Sequence, residues 1–161
     1  MRHGIAAEHG DPRYPKDSDR PLTSEGEKKV KIISDAMKKL EISFDSILTS
    51  PYVRAAETAK IVAKTFKKEV TFSEELRAEQ NSEHLVEMLR REYKQDASLL
   101  LVGHEPLLSH WISVLVSGNP HTEILMKKAG VCKLSVGNLH YGRCATLEWL
   151  LAPRHFLAIK D

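Results

Sequence analysis

Three short segments of this 161-residue chain carry side chains that can act together on a phosphoryl group. They are Arg2-His3-Gly4, Ser50-Pro51-Tyr52-Val53-Arg54 and Gly103-His104-Glu105-Pro106, and Arg20 offers a further cation. Guanidinium groups are planar, permanently charged donors that match phosphate oxygens. A histidine set among such cations is held neutral by like-charge repulsion, so its ring can attack phosphorus. A second histidine, in its protonated form, can donate to the oxygens that gain charge in the transition state. In-line phosphoryl transfer needs mainly positioning and charge stabilisation. This set supplies both, and no HExxH or aspartate-rich metal pattern occurs. Neither a metal nor another cofactor is expected. Singly, each residue has an ordinary structural reading: a terminal tail, a solvated helix charge, a turn histidine. Their common placement carries the argument.

That placement depends on the elements around them. Residues 5–23 are polar and hold Gly10, Pro12, Pro15 and Pro21, which reads as a long loop of the functional or disordered kind. A helix then starts at a capping box of Ser24 and Glu27, or with Thr23 as the cap, and sets Val30, Ile33, Met37 and Leu40 on one face. Residues 44–50 read as a strand. Ser50-Pro51 then reads as an N-cap and first helical residue, with Ala55, Ala59, Val62 and Phe66 inward. A second strand is expected over 68–73 and a third helix over 81–94, with Leu85, Met88 and Leu89 inward. The apolar run 98–104 suits a central parallel strand, and Leu107, Leu108, Trp111, Ile112 and Leu115 make the next helix amphipathic. Residues 130–137 and 143–151 read as an antiparallel hairpin at a sheet edge. Alternating strands and helices predict a single α/β domain over 1–161, a three-layer α/β/α sandwich with a mostly parallel sheet and an antiparallel edge. Ligands of such sheets bind beyond the carboxyl ends of the strands, where all three segments are expected to lie.

The segments "RHGIA", "RPLTSEG", "SPYVRAAETA" and "VGHEP" follow one another as in the histidine phosphatase superfamily. The chain resembles that superfamily, which includes the phosphoglycerate mutases, over nearly its whole length. It is most similar to the SixA-type phosphohistidine phosphatase branch. The resemblance implies a phosphoglycerate mutase-like fold, His3 as the transiently phosphorylated nucleophile, and Arg2, Arg54 and His104 as the phosphate pocket. It implies Arg20 as a further phosphate-facing arginine, and water as the final acceptor. Mutase-like members usually follow "RHG" with Glu and then a nearby Asn, whereas here Ile5-Ala6-Ala7 follow, as in the SixA branch. About 30 residues between Phe66 and Ser98 leave little material for a lid. An open site suits a phosphorylated side chain on another protein. Members often place an acidic residue after the third strand as general acid, and within "SEELRAEQ" Glu79 is the candidate. An imidazole leaving group is far less basic than an alkoxide and needs such an acid less.

The implied partner is a histidine-phosphorylated phosphotransfer or signalling protein. The alternatives are a phosphomonoesterase or mutase acting on a small phosphorylated metabolite, and a phosphate-binding adaptor without turnover. In the family an apolar strand precedes "RHG", and here Met1 alone stands in that place. The reading expects a natural start several residues upstream, and expects the neighbours of that strand to show unpaired edges. A formal charge of +2 argues against nucleic acid as partner, and no apolar run approaches the ~20 residues that span a bilayer. Cys132 and Cys144 lack metal-ligand spacing and read as reduced structural thiols. The expected location is the cytoplasm and the expected state a monomer.

Overall fold

The computed structural model describes residues 1–159. Helices α1 (Ser24–Lys39), α2 (Val53–Phe66), α3 (Ser82–Glu92), α4 (Leu107–Ser117) and α5 (Pro153–Leu157) alternate with strands β1 (Ser46–Thr49), β2 (Val70–Phe72), β3 (Leu99–Val102), β4 (Val131–Val136) and β5 (Ala145–Leu151). Two 3-10 turns, Asp17–Asp19 and Glu74–Leu76, and the short α5 add to the expected elements.

Strands β2, β1 and β3 form a parallel sheet in that order, and β4 and β5 form an antiparallel pair. Residues 1–3 lie between the two. Arg2 bridges Gly103 in parallel, the Arg2 N–H donates to the Gly130 carbonyl, and the Ala129 N–H donates to the His3 carbonyl. Alternation along the strands divides the core. Ile47, Leu100 and Val102 join Val30, Ile33, Met37, Ala55, Ala59, Val62 and Phe156, from α1, α2 and α5, on one face. Leu48 and Leu101 meet Leu76, Leu85, Met88 and Leu89 on the other. Helix α4 packs Leu108 and Ile112 against Met126 and the hairpin. This is the α/β/α sandwich with an antiparallel edge that the patterning predicts.

Several local expectations are corrected. Thr23, not Ser24, caps α1, its side chain accepting from the Gly26 N–H at 3.0 Å. Leu40 lies past the end of α1 and is exposed. Helix α2 starts at Val53, so Ser50 is not its cap. Beyond Met1, a cavity of about 830 Å³ runs between β3 and β4, lined in part by Leu99, Leu101, Val131, Leu134 and Trp149. Among the described residues no named strand lies between the two strand edges that face it.

Candidate active site

The register sets Thr49 beside Val102, and Arg2 beside Gly103, so the three segments leave the sheet at the same carboxyl edge. His3 is held by backbone bonds on both sides: its N–H donates to Gly103 and its carbonyl accepts from Ala129. Gly4 lets the chain turn under α1, because a Cβ there would stand 2.8 Å from Val30 Cγ2. The Gly4 N–H donates to Thr58 Oγ1 at 3.0 Å, and Thr58 donates to the Arg54 carbonyl one turn back. Helix α2 is thereby locked to the loop that follows His3.

His3 and His104 lie with ring centroids 5.0 Å apart, both buried. His3 Nδ1 is 2.7 Å from the Gly4 carbonyl oxygen. A carbonyl only accepts, so the proton sits on Nδ1 and the Nε2 lone pair is available. Arg54 Nε donates to that Nε2 at 3.3 Å. Burial pushes the His3 pKa down to about 3, opposed by the Gly4 hydrogen bond and helped by the charges of Arg54 and Arg2. His3 is a neutral imidazole.

His104 Nε2 meets Ser50 Oγ at 2.9 Å. Ser50 Oγ also accepts from the Tyr52 N–H at 3.3 Å and keeps a second lone pair and its proton, so toward His104 Nε2 it is donor or acceptor according to the ring's tautomer. His104 Nδ1 is buried without a partner. Burial and the neighbouring Arg54 push the His104 pKa down to about 3. The expectation of a protonated second histidine is thus corrected for the free protein: His104 is neutral, with its Nδ1 unpaired.

Arg2 donates through Nη1 to the Met126 carbonyl at 2.8 Å, and its buried Nε has no partner. An unpaired buried donor costs ~1–3 kcal/mol. The unpaired Arg2 Nε suits a ligand rich in acceptor oxygens, and His104 Nδ1 does so in the tautomer that carries its proton there. Arg54 and Arg20 converge on Asp17. Asp17 Oδ2 accepts from Arg54 Nη2 at 2.8 Å, and Oδ1 accepts from Arg20 Nε at 2.9 Å and Nη2 at 2.6 Å. Sequence reasoning missed Asp17, although its place three residues before Arg20 was a usable signal. It also missed Ser50 as the partner of His104, which no local pattern signals.

Glu79 meets the site through Tyr52 and Arg77. It is exposed, accepts from the Tyr52 hydroxyl at 2.8 and 2.9 Å, and pairs with Arg77 at 2.8 Å. Desolvation raises its pKa, but Tyr52 and Arg77 outweigh that and hold it below the usual carboxylate range. A carboxyl that stays ionised has no proton to give, so this geometry fits a support for Tyr52 and not a general acid. The Tyr52 ring lies edge-on to His104 at 5.0 Å and under the Arg54 guanidinium at 5.2 Å. His9 is exposed and reaches only the rim, 3.9 Å from Asp17. Among the described residues no group of His, Cys, Asp and Glu side chains could hold a metal ion, and no helix is long and apolar enough to cross a membrane. Both cysteines are free.

The family model of the histidine phosphatase superfamily (branch 1) matches residues 1–96. An uncharacterised protein of Picosynechococcus sp. is 37% identical over 139 residues, covering 85% of this chain and 83% of that one. The protein histidine phosphatase SixA, solved with tungstate, superposes with a TM-score of 0.78 at 24% identity over 96% of both chains. A phosphoserine phosphatase of Entamoeba histolytica, solved with phosphoserine, gives a TM-score of 0.71 at 16% identity, over 96% of this chain and 95% of that one. At those identities the solved structures share the fold.

Proposed function

This chain belongs to the histidine phosphatase superfamily (branch 1), and from that premise we propose that it is a phosphohistidine phosphatase acting on a histidine-phosphorylated protein. The observation that carries the reading is the neutral His3 ring. Its Nδ1–H is tied to Gly4 and its Nε2 lone pair lies against Arg54. In the first step Nε2 attacks phosphorus, the new N–P bond forms, and the substrate's own P–N bond breaks. The guanidiniums of Arg2, Arg54 and Arg20 take the phosphoryl oxygens, and His104 Nδ1–H donates to one of them. A bound dianion raises the basicity of His104, so the ring holds its donated proton more easily as charge develops. In the second step water attacks phosphorus, the His3 N–P bond breaks, and inorganic phosphate leaves. No step calls for a metal or another cofactor.

Two features favour a P–N bond over a phosphate ester. Glu79 is held ionised by Tyr52 and Arg77. An alkoxide leaving group needs a proton donor, whereas a departing imidazole is readily protonated by water. The span between α2 and β3 is filled by β2, a 3-10 turn and α3, so no subdomain roofs the site there. The partner is therefore a phosphotransfer or signalling protein presenting its phosphohistidine on the surface. A monomer in the cytoplasm fits this role.

The test is a substrate panel: a histidine-phosphorylated phosphotransfer protein, a phosphoserine peptide and several sugar phosphates. The expected kcat/KM is at least about 100-fold higher for the phosphohistidine protein, about 2.7 kcal/mol in transition-state terms. A preference for an ester would replace this reading with that of a phosphomonoesterase.

A further inference from the structure

Asp17 lies where an anion would be bound. Its Oδ2 accepts from Arg54 Nη2, its Oδ1 from Arg20 Nε and Nη2, and its backbone carbonyl from Arg54 Nη1 at 2.6 Å. The side chain of Arg54 is 4% exposed and that of Arg20 14%, whereas that of Asp17 is 39% exposed. The carboxylate therefore covers the two cations from the solvent side, the side from which a ligand approaches. Arg54 is also the group that touches His3 Nε2, so this anion neighbours the reacting atom. Desolvation raises the Asp17 pKa, but hydrogen bonds from Arg20 and Arg54 outweigh it and keep the group ionised. The 3-10 turn that carries Asp17 buries none of its own residues. No apolar packing anchors it, so it can shift when its ion pairs are exchanged for others.

We propose that Asp17 is a built-in competitor for the phosphate seat, giving up Arg54 and Arg20 to an arriving phosphoryl group and retaking them to expel the product. The proposal rests on the reading of those arginines as phosphate ligands. A tethered carboxylate acts at a high effective concentration, in the millimolar range or above for a short connection. A free anion then binds only the fraction of molecules in which Asp17 is displaced, and its apparent affinity falls by that fraction. A substrate protein with further contacts can meet this cost. Inorganic phosphate cannot, so Asp17 keeps the pocket from filling with product.

The test is calorimetric titration of the full chain with inorganic phosphate, comparing wild type, Asp17→Asn and Asp19→Asn. Asp19 is exposed and its carboxylate meets Ser18, so its variant controls for the change in net charge. Asp17→Asn is expected to bind phosphate about tenfold more tightly, about 1.4 kcal/mol, with Asp19→Asn within about threefold of wild type. During turnover, product inhibition should tighten by the same factor. Equal or weaker binding by Asp17→Asn overturns the proposal and makes Asp17 a support for its arginines. Should that variant not fold, the wild type decides the matter by nuclear magnetic resonance. The Arg20 Nε–H signal must move on saturation with phosphate, and an unmoved signal overturns the proposal. Tighter phosphate binding without turnover of phosphohistidine supports the role of Asp17 and removes only the substrate assignment. Absence of phosphate binding in wild type and variant sinks both.

Discussion

At the scale of single residues, the neutral state of His3 and His104 has a measurable consequence for stability. Both rings are buried, and their pKa values fall from the ordinary 6.5 to about 3. Between those limits the unfolded chain binds protons that the folded one refuses. Stability from these rings is fully present above pH 6.5 and is lost as pH falls toward 3, at up to about 1.4 kcal/mol per pH unit for each ring. The melting temperature is therefore expected to drop between pH 7 and pH 5, and the slope to flatten in the double variant His3→Gln, His104→Gln. An unchanged slope would show that the rings already carry protons in the fold. Glu79 gives a second prediction at this scale. Loss of a general acid costs about 100-fold or more in rate. Because Glu79 supports Tyr52, Glu79→Gln is expected to lower kcat by less than about tenfold, with Tyr52→Phe alike. A larger loss in Glu79→Gln alone would restore the acid role.

At the scale of elements, α1 must sit close to the loop that follows His3, and Gly26 sets that distance. A Cβ at Gly26 would collide with the Ile5 carbonyl oxygen, a backbone atom that cannot rotate away. Helix propensity favours alanine over glycine by about 1 kcal/mol, whereas overpacking costs about 1–3 kcal/mol. Gly26→Ala is expected to destabilise, and denaturant unfolding gives the sign directly. A gain in stability would mean that α1 can slide without cost. The strand ends were legible in sequence because the apolar runs 44–50 and 98–104 break off at Ser50 and His104. The face of α2 was legible too, since Ala55, Ala59 and Val62 recur at helical spacing and are fully buried. Ser50 was misread because its hydroxyl is claimed by His104, 54 residues away, and a local cap pattern cannot register such a competitor. Asp17 was passed over for a related reason. Its second cation, Arg54, lies 37 residues further along the chain. Leu40 fits the helical stripe by spacing, but the helix stops at Lys39 and leaves it in solvent.

At the scale of the whole molecule, His3 is positioned by a short stretch of chain wedged between two sheets. Residues 1–3 bridge the end of β3 to the start of β4, and Met1 lines the cavity of about 830 Å³ between those strands. Under the proposed function all of this serves one chemical event, the transfer of a phosphoryl group to His3 Nε2. Rapid acid-free quenching of turnover with radiolabelled phosphohistidine protein, followed by peptide mapping, tests it most directly. The account requires an acid-labile, base-stable label on the peptide containing His3, appearing before phosphate release and absent in His3→Ala. Full turnover with no label on that peptide, or undiminished turnover in His3→Ala, would contradict it.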